Sequence, residues 1–153
     1  MKISHYFELE SHVTGGIHES VVHQRKMLDR LDLTYTTEPT LEADVFHCNL
    51  MGPRSVWYAR QAQSNGVPVI ANTHVTAEDF GDSFRFTNAL AKPLKPYLEW
   101  AYGLADALVC PSEYNQDLIE TYTDVPTTVV SNGVDRSKLA GFQSLEDEYR
   151  DRY

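Results

Sequence analysis

Short apolar runs rich in β-branched residues recur along this chain with helix-length segments between them. That alternation constrains the fold more than any other feature. Lys2–Phe7 alternates in the manner of a strand, and further strands are predicted over Thr34–Thr37, Asp44–Leu50, Val67–Asn72, Ala107–Cys110 and Thr127–Val130. Between them, Ile17, Val21, Leu28 and Leu31 fall on one helical face. Pro53 opens a second helix at an N1-type position, and Asn65-Gly66 closes it. An aromatic-rich helical region runs from Phe86 to Leu104, where Pro93 and Pro96 are expected to kink or split it. Ser112 caps a last helix through Thr121. Strands alternating with helices in this way predict a three-layer Rossmann-like α/β domain with a parallel, doubly wound sheet.

With 153 residues, 42% of them hydrophobic, the chain is long enough for one compact core. Thirteen Lys and Arg against 22 Asp and Glu leave a net charge of −9, which argues against nucleic acid as a partner. No stretch approaches the ~18 consecutive apolar residues of a membrane-spanning helix, and the N-terminus lacks the apolar core of a signal peptide. A cytoplasmic location is the expectation. Cys48 and Cys110 each lie inside an apolar run, and buried free thiols are a better reading than a disulfide.

Ligands of an open parallel sheet bind where the loops gather beyond the carboxyl ends of the strands. Gly15, Gly16, His47, Asn49, Asn72, His74, Ser112 and Asn132 all fall at or just past those ends, or in the loops that follow. Gly15-Gly16 directly precedes a helix, where free N–H groups can meet a phosphate, although on the residues alone a plain flexible turn is the better reading. It fits neither a G-x-G-x-x-G fingerprint nor a P-loop. His74 lies in a polar loop and could donate to a sugar hydroxyl or stabilise charge at a reacting carbon, with an ordinary surface histidine as the alternative. His18 and His23 are five residues apart and therefore rotated to different helix faces, so no metal site is expected. Ser112 follows a proline as a helix cap, and no nucleophile elbow is present. The run Lys92-Pro93-Leu94-Lys95-Pro96, with Phe84, Phe86, Tyr97, Trp100 and Tyr102, reads first as core aromatics beside solvated lysines. A surface for a lipid-linked acceptor is the second reading.

Four segments in order carry a resemblance: the Gly15-Gly16 loop, a strand ending in Asn72-Thr73-His74, Ala105 to Ser112, and Ser131-Asn132-Gly133-Val134-Asp135 after the last strand. Together they resemble the N-terminal domain of retaining GT-B glycosyltransferases of family four, over Lys2 to Asp135. The resemblance implies transfer of a sugar from a nucleotide-activated donor to a sugar or lipid-linked acceptor, with retention and with no cofactor beyond the nucleotide-sugar co-substrate. It implies that Gly15 and Gly16 lie against the donor diphosphate and that His74 is the catalytic histidine near the transferred sugar. His47, Asn49, Asn72, Ser112 and Asn132 become rim contacts to acceptor or donor. It further implies that residues 1–135 are the acceptor-side domain and 136–153 a linker toward a C-terminal, donor-binding domain. The isolated chain is then expected to be inactive, and peripheral contact with the inner membrane face is compatible with it. A stand-alone α/β binding or regulatory module and a GT-B-like sugar-nucleotide epimerase fragment are the alternatives.

Overall fold

A computed structural model of the chain describes residues 1–79 and 88–133, with side chains for all of these but 88–92. The strands are β1 (Lys2–Tyr6), β2 (Thr34–Thr36), β3 (Val45–Cys48), β4 (Val69–Asn72), β5 (Ala107–Cys110) and β6 (Thr127–Val129). They form one sheet in the order β2-β1-β3-β4-β5-β6, with every pair parallel. The helices are α1 (Gly16–Arg30), α2 (Pro53–Ser64), α3 (Asn88–Tyr102) and α4 (Glu113–Ile119). The α/β class and the all-parallel sheet agree with the sequence reading.

Side-chain parity along the strands sorts the molecule into layers. Phe46, Cys48, Val69, Ala71, Leu108 and Cys110 face one way and pack against Val56, Ala59 and Ala62 of α2, Leu98, Ala101 and Tyr102 of α3, and Ile119 of α4. Residues such as Phe46 at 1% exposure and Leu108 at 0% each stabilise the fold by roughly 1.5–3 kcal/mol through burial. His5, His47, Ile70, Asn72 and Val109 face the other way, beneath α1. Cys48 and Cys110 are buried and unpaired.

Two local features differ from the sequence reading. Helix α3 runs unbroken through Pro93 and Pro96, its C-terminal half held by buried Leu98, Ala101 and Tyr102. Leu31, placed on the buried face by periodicity, caps α1 and is 60% exposed, because the chain leaves the helix there through Asp32 at φ +52°. Strand β6 is an edge strand whose Val129 stays exposed, since no described element lies outside it. Asp135 and the expected linker 136–153 lie outside the described residues, as do Phe84, Arg85 and Phe86.

Candidate functional site

Strand β1 has β2 on one side and β3 on the other, so the chain reverses direction across the sheet between β1 and β3. Such a switch point opens a crevice at the carboxyl edge. The loop after β1 is tied down on both sides. Glu8, buried at 4% exposure, accepts from the backbone N–H groups of Arg54 (3.2 Å) and Ser55 (2.7 Å) and so caps α2 from a distance. Glu10 forms a two-pronged ion pair with Arg25 of α1, the Nη2–Oε2 arm at 2.9 Å. Gly15 then adopts φ +79° and ψ −148°, backbone that only glycine takes without strain. No side chain caps α1, and a Cβ placed on Gly15 or Gly16 would meet nothing within 4 Å. The first N–H groups of α1 therefore sit beside open space.

Beneath α1 a buried chain of polar contacts links the strand ends. Asn72 Nδ2 donates to Asn49 Oδ1 at 2.6 Å and to Gln24 Oε1 at 3.3 Å. His5 Nε2 donates to the same Gln24 oxygen at 2.9 Å, which leaves its Nδ1 to accept from Asn49 Nδ2 at 3.4 Å. Gln24 Nε2 donates to Ser20 Oγ (3.2 Å), and Ser20 Oγ donates to Asn132 Oδ1 (2.9 Å). His23 Nδ1 donates to the Asn132 carbonyl at 3.3 Å. The Asn132-Gly133 turn is thus clamped onto α1, with Gly133 alone using positive φ, at +73°.

The segment carrying His74 is pinned residue by residue. Thr73 donates its backbone N–H and its hydroxyl to the Val109 carbonyl, at 3.0 and 3.2 Å. Asn115 grips Thr73 twice, its Nδ2 donating to the Thr73 carbonyl at 3.1 Å and its Oδ1 accepting from the Thr73 hydroxyl. Tyr102 donates to the Val75 carbonyl at 2.7 Å, and Ala77 N–H donates to the Tyr122 hydroxyl at 3.1 Å. Tyr122 in turn donates to Glu78. Ser112 accepts from the N–H of Asn115 (3.2 Å), so its oxygen caps the helix that places Thr73.

Between α1, the exposed flank of the sheet and the last turn lies a cavity of about 300 Å³. His5, His23, Gln24, His47, Asn72, His74 and Asn132 contribute its polar wall, and Met27, Leu28, Val109, Pro111 and Val130 its apolar wall. The Nε2 atoms of His23, His47 and His74 are shielded and have no hydrogen-bond partner. Burial pulls His47 down to about 3, with neighbouring His5 adding to the effect and a hydrogen bond to Asn72 opposing it. Burial likewise lowers His74 and His5 below the ordinary histidine value. These rings are neutral at pH 7 and can both donate and accept.

The structure thus brings His47, Asn72, His74 and Asn132 to one cavity, with Asn49 directly beneath it. Gly15 and Gly16 share the carboxyl edge but do not line the cavity, and neither does Ser112. Residue-by-residue reading passed over Ser20, His23 and Gln24. The available signal was their spacing with Met27, which places all four on one stripe of α1. Among the described residues no three His, Cys, Asp or Glu side chains converge as metal ligands. Lys95 is engaged by Glu78 at 3.2 Å and lies over the Tyr122 ring at 4.9 Å, and the Lys92 side chain lies outside the description. No described helix is long and apolar enough to cross a membrane.

Comparison with known proteins bears on this geometry. The family model described as Glycosyltransferase Family 4 matches residues 16–138. The processive diacylglycerol alpha-glucosyltransferase of Acholeplasma laidlawii is 30% identical over 156 aligned positions, covering 100% of this chain and 46% of that protein. The chain spans about half the length of this relative.

Proposed function

This chain belongs to glycosyltransferase family 4, and on that premise we propose that it forms the acceptor-side half of a retaining glycosyltransferase. The enzyme would transfer a sugar, a hexose by analogy with the relative, from a nucleotide-activated donor to a hydroxyl acceptor. The observation that carries this reading is His74. It lies at the carboxyl edge between Thr73 and Val75, both held by hydrogen bonds, it lines the cavity there, and it shares that edge with the open Gly15-Gly16 backbone.

In this reading the bond between the anomeric carbon and the diphosphate oxygen breaks, the acceptor oxygen takes its place on the same face of the sugar, and the acceptor's hydroxyl proton passes to the departing diphosphate. The first N–H groups of α1 approach the diphosphate, since the absence of a Cβ and of a side-chain cap leaves them reachable. Neutral His74 offers a hydrogen bond to a sugar hydroxyl near the reacting carbon, where a fixed donor lowers the barrier. His47, Asn72 and Asn132 shape the acceptor side, Asn49 fixes Asn72, and Ser112 acts through Asn115. Residues 1–135 are the domain, and 136–153 lead to a second domain that supplies the positive charge a departing diphosphate requires. The net charge of −9 and the greater length of the relative support that division. The nucleotide-sugar is co-substrate, no further cofactor takes part, and the reaction is placed in the cytoplasm beside the membrane face that holds a lipid-linked acceptor.

The test mixes the chain with the separately produced C-terminal half of the Acholeplasma relative, a panel of nucleotide-sugars that includes UDP-glucose, and a glycerolipid acceptor. Glycolipid formation with free-nucleotide release is expected. Epimerised nucleotide-sugar without transfer, or no donor consumption by any full-length protein carrying this domain, overturns the reading.

A further inference from the structure

Two asparagines in the chain precede glycine, Asn65 and Asn132, and the structure treats them in opposite ways. In an Asn-Gly pair the glycine nitrogen can attack the asparagine side-chain carbon, because glycine bears no side chain to block the approach. Attack needs a nitrogen that can give up its proton and a carbonyl oxygen that can take up negative charge. At Asn65 the pieces are tied down. The Gly66 N–H donates to the Gln63 carbonyl at 2.9 Å, and Asn65 Nδ2 donates to the Gln61 carbonyl at 2.8 Å. Both bonds fasten the pair to the end of α2 and must break before a ring can close.

At Asn132 the hydrogen bonds favour closure. Ser20 Oγ donates at 2.9 Å to Asn132 Oδ1, the oxygen on which charge develops when the side-chain carbon is attacked. His23 Nδ1 donates to the Asn132 backbone carbonyl at 3.3 Å. That carbonyl belongs to the same peptide unit as the Gly133 N–H, so drawing charge onto its oxygen makes the nitrogen easier to deprotonate. The Gly133 N–H itself meets the Ser131 hydroxyl at 3.5 Å, the outer limit of a hydrogen bond. Ser20 is 1% exposed and also accepts from Gln24, which fixes its donor in place. Asn132 and Gly133, by contrast, are open to water.

We propose that Asn132-Gly133 is a self-modifying pair, converted to isoaspartate with Ser20 and His23 of α1 as the activating groups. The Gly133 nitrogen passes its proton to water and bonds to Asn132 Cγ. The Cγ–Nδ2 bond then breaks, and Nδ2 takes up a proton and leaves as ammonia. The resulting cyclic imide adds one water and opens to isoaspartate or aspartate. In the isoaspartate the backbone is one methylene longer, so the residue no longer meets Ser20 and His23 together. A carboxylate also enters a cavity whose described wall holds no Lys or Arg. The turn is thereby released from α1 irreversibly. None of this depends on the glycosyltransferase reading.

The experiment incubates the folded 153-residue chain at neutral pH beside two synthetic peptides, Gln61–Ile70 and Val125–Asp135, which carry the same pairs without the helices. Peptide mapping by mass spectrometry follows amide loss, and protein isoaspartyl methyltransferase identifies isoaspartate. Asn132 is expected to convert about fivefold faster in the chain than in its peptide, the scale of one hydrogen bond gained. Asn65 is expected to convert more slowly in the chain than in its peptide. Ser20→Ala removes a donor and loosens the turn, and both effects bring Asn132 back toward the peptide rate. His23→Phe, at a half-buried position, tests the second donor without touching Ser20 and should slow Asn132 at least about twofold. The isoaspartate form, separated by ion exchange, should unfold at lower urea than the parent chain. Conversion at Asn132 no faster than in the peptide, equal rates at Asn65 and Asn132 in the chain, or rates unmoved by both substitutions overturn the proposal. An unchanged urea midpoint overturns the release of the turn.

Discussion

The Ser20 hydroxyl donates a 2.9 Å hydrogen bond to Oδ1 of Asn132 across 112 residues of sequence. It joins the first turns of α1, which follow the Gly-Gly loop, to the Asn-Gly turn after the last strand. Ser20 is 1% exposed and also receives Gln24 Nε2, so this contact closes the polar chain beneath α1. Ser20→Ala should destabilise the chain by about 1–2 kcal/mol, because Gln24 and Asn132 both lose a buried partner. Asn132→Ala alone should cost less, since Asn132 lies at the surface. A urea-unfolding double-mutant cycle should return a coupling of at least ~0.5 kcal/mol, and strict additivity would show that the contact contributes nothing.

Gly15 and Gly16 should separate backbone strain from ligand access. At φ +79°, Gly15→Ala should lose roughly 1–3 kcal/mol of stability despite the free space around it. Gly16 is helical, so Gly16→Ala should leave stability unchanged or raise it by up to about 1 kcal/mol. In the completed enzyme, Gly16→Ala should nevertheless raise KM for the nucleotide-sugar, as a methyl group would stand between the α1 amides and a diphosphate. An unchanged KM would place the donor elsewhere.

Gly52 is required by Glu8. A Cβ there would lie 2.6 Å from the Glu8 carboxyl carbon, yet the backbone of Gly52 is extended and unstrained at φ −81°. Gly52→Ala should cost about 1–3 kcal/mol through this overlap alone. Because the clash needs both side chains, Glu8→Ala with Gly52→Ala should cost less than the sum of the two. Additive losses in thermal unfolding would put the strain in the backbone.

His74→Ala should lower kcat in the completed enzyme by roughly 10–1,000-fold, the range for one hydrogen bond made in the transition state, with a smaller change in KM for the donor. His74→Gln should recover part of the loss, and unchanged kinetics would return His74 to a loop residue without a role.

Stability should fall with acid through the buried histidines. His47 titrates at about 3 in the folded chain and near 6.5 when unfolded. Above 6.5 neither state is protonated at this ring and no penalty arises. Between those values the unfolded chain binds a proton that the folded chain refuses, so lowering pH favours unfolding by up to ~1.4 kcal/mol per unit, less where the cavity admits water. Lowered His5 and His74 act in the same direction. Urea midpoints from pH 7.5 to 4.5 should therefore decline, and His47→Gln should flatten the slope. An equal slope in the variant would mean that His47 is solvated.

Much of this was legible from the chain. The alternation of apolar runs with helical segments sufficed for a parallel α/β sheet, since every strand in such an order must run the same way. That arrangement alone sends the ends of Tyr6, Cys48, Asn72 and Cys110 to one edge, and with them Gly15, Asn49, His74 and Asn132. Asn65-Gly66 and Ser112 could be read as a stop and a cap because those roles depend on the backbone of only a few residues.

Tertiary structure alone decided which of these residues share a cavity. Period-two alternation fixes that His47 and Cys48 face opposite ways, but not which face α1 covers or which strand lies beside β3. The order β2-β1-β3-β4-β5-β6 and its register align His5 with His47 and Asn72 with Val109, and that placed His5, His47 and Asn72 under Gln24. The same placement left Val129 at an open edge and drew His23 and Ser20 into a site of which their shared stripe on α1 was the sole local sign. Sequence sets what each segment prefers within a few residues. The contacts that join Ser20 to Asn132 or Glu8 to Ser55 come from strands laid side by side, where distance along the chain no longer counts.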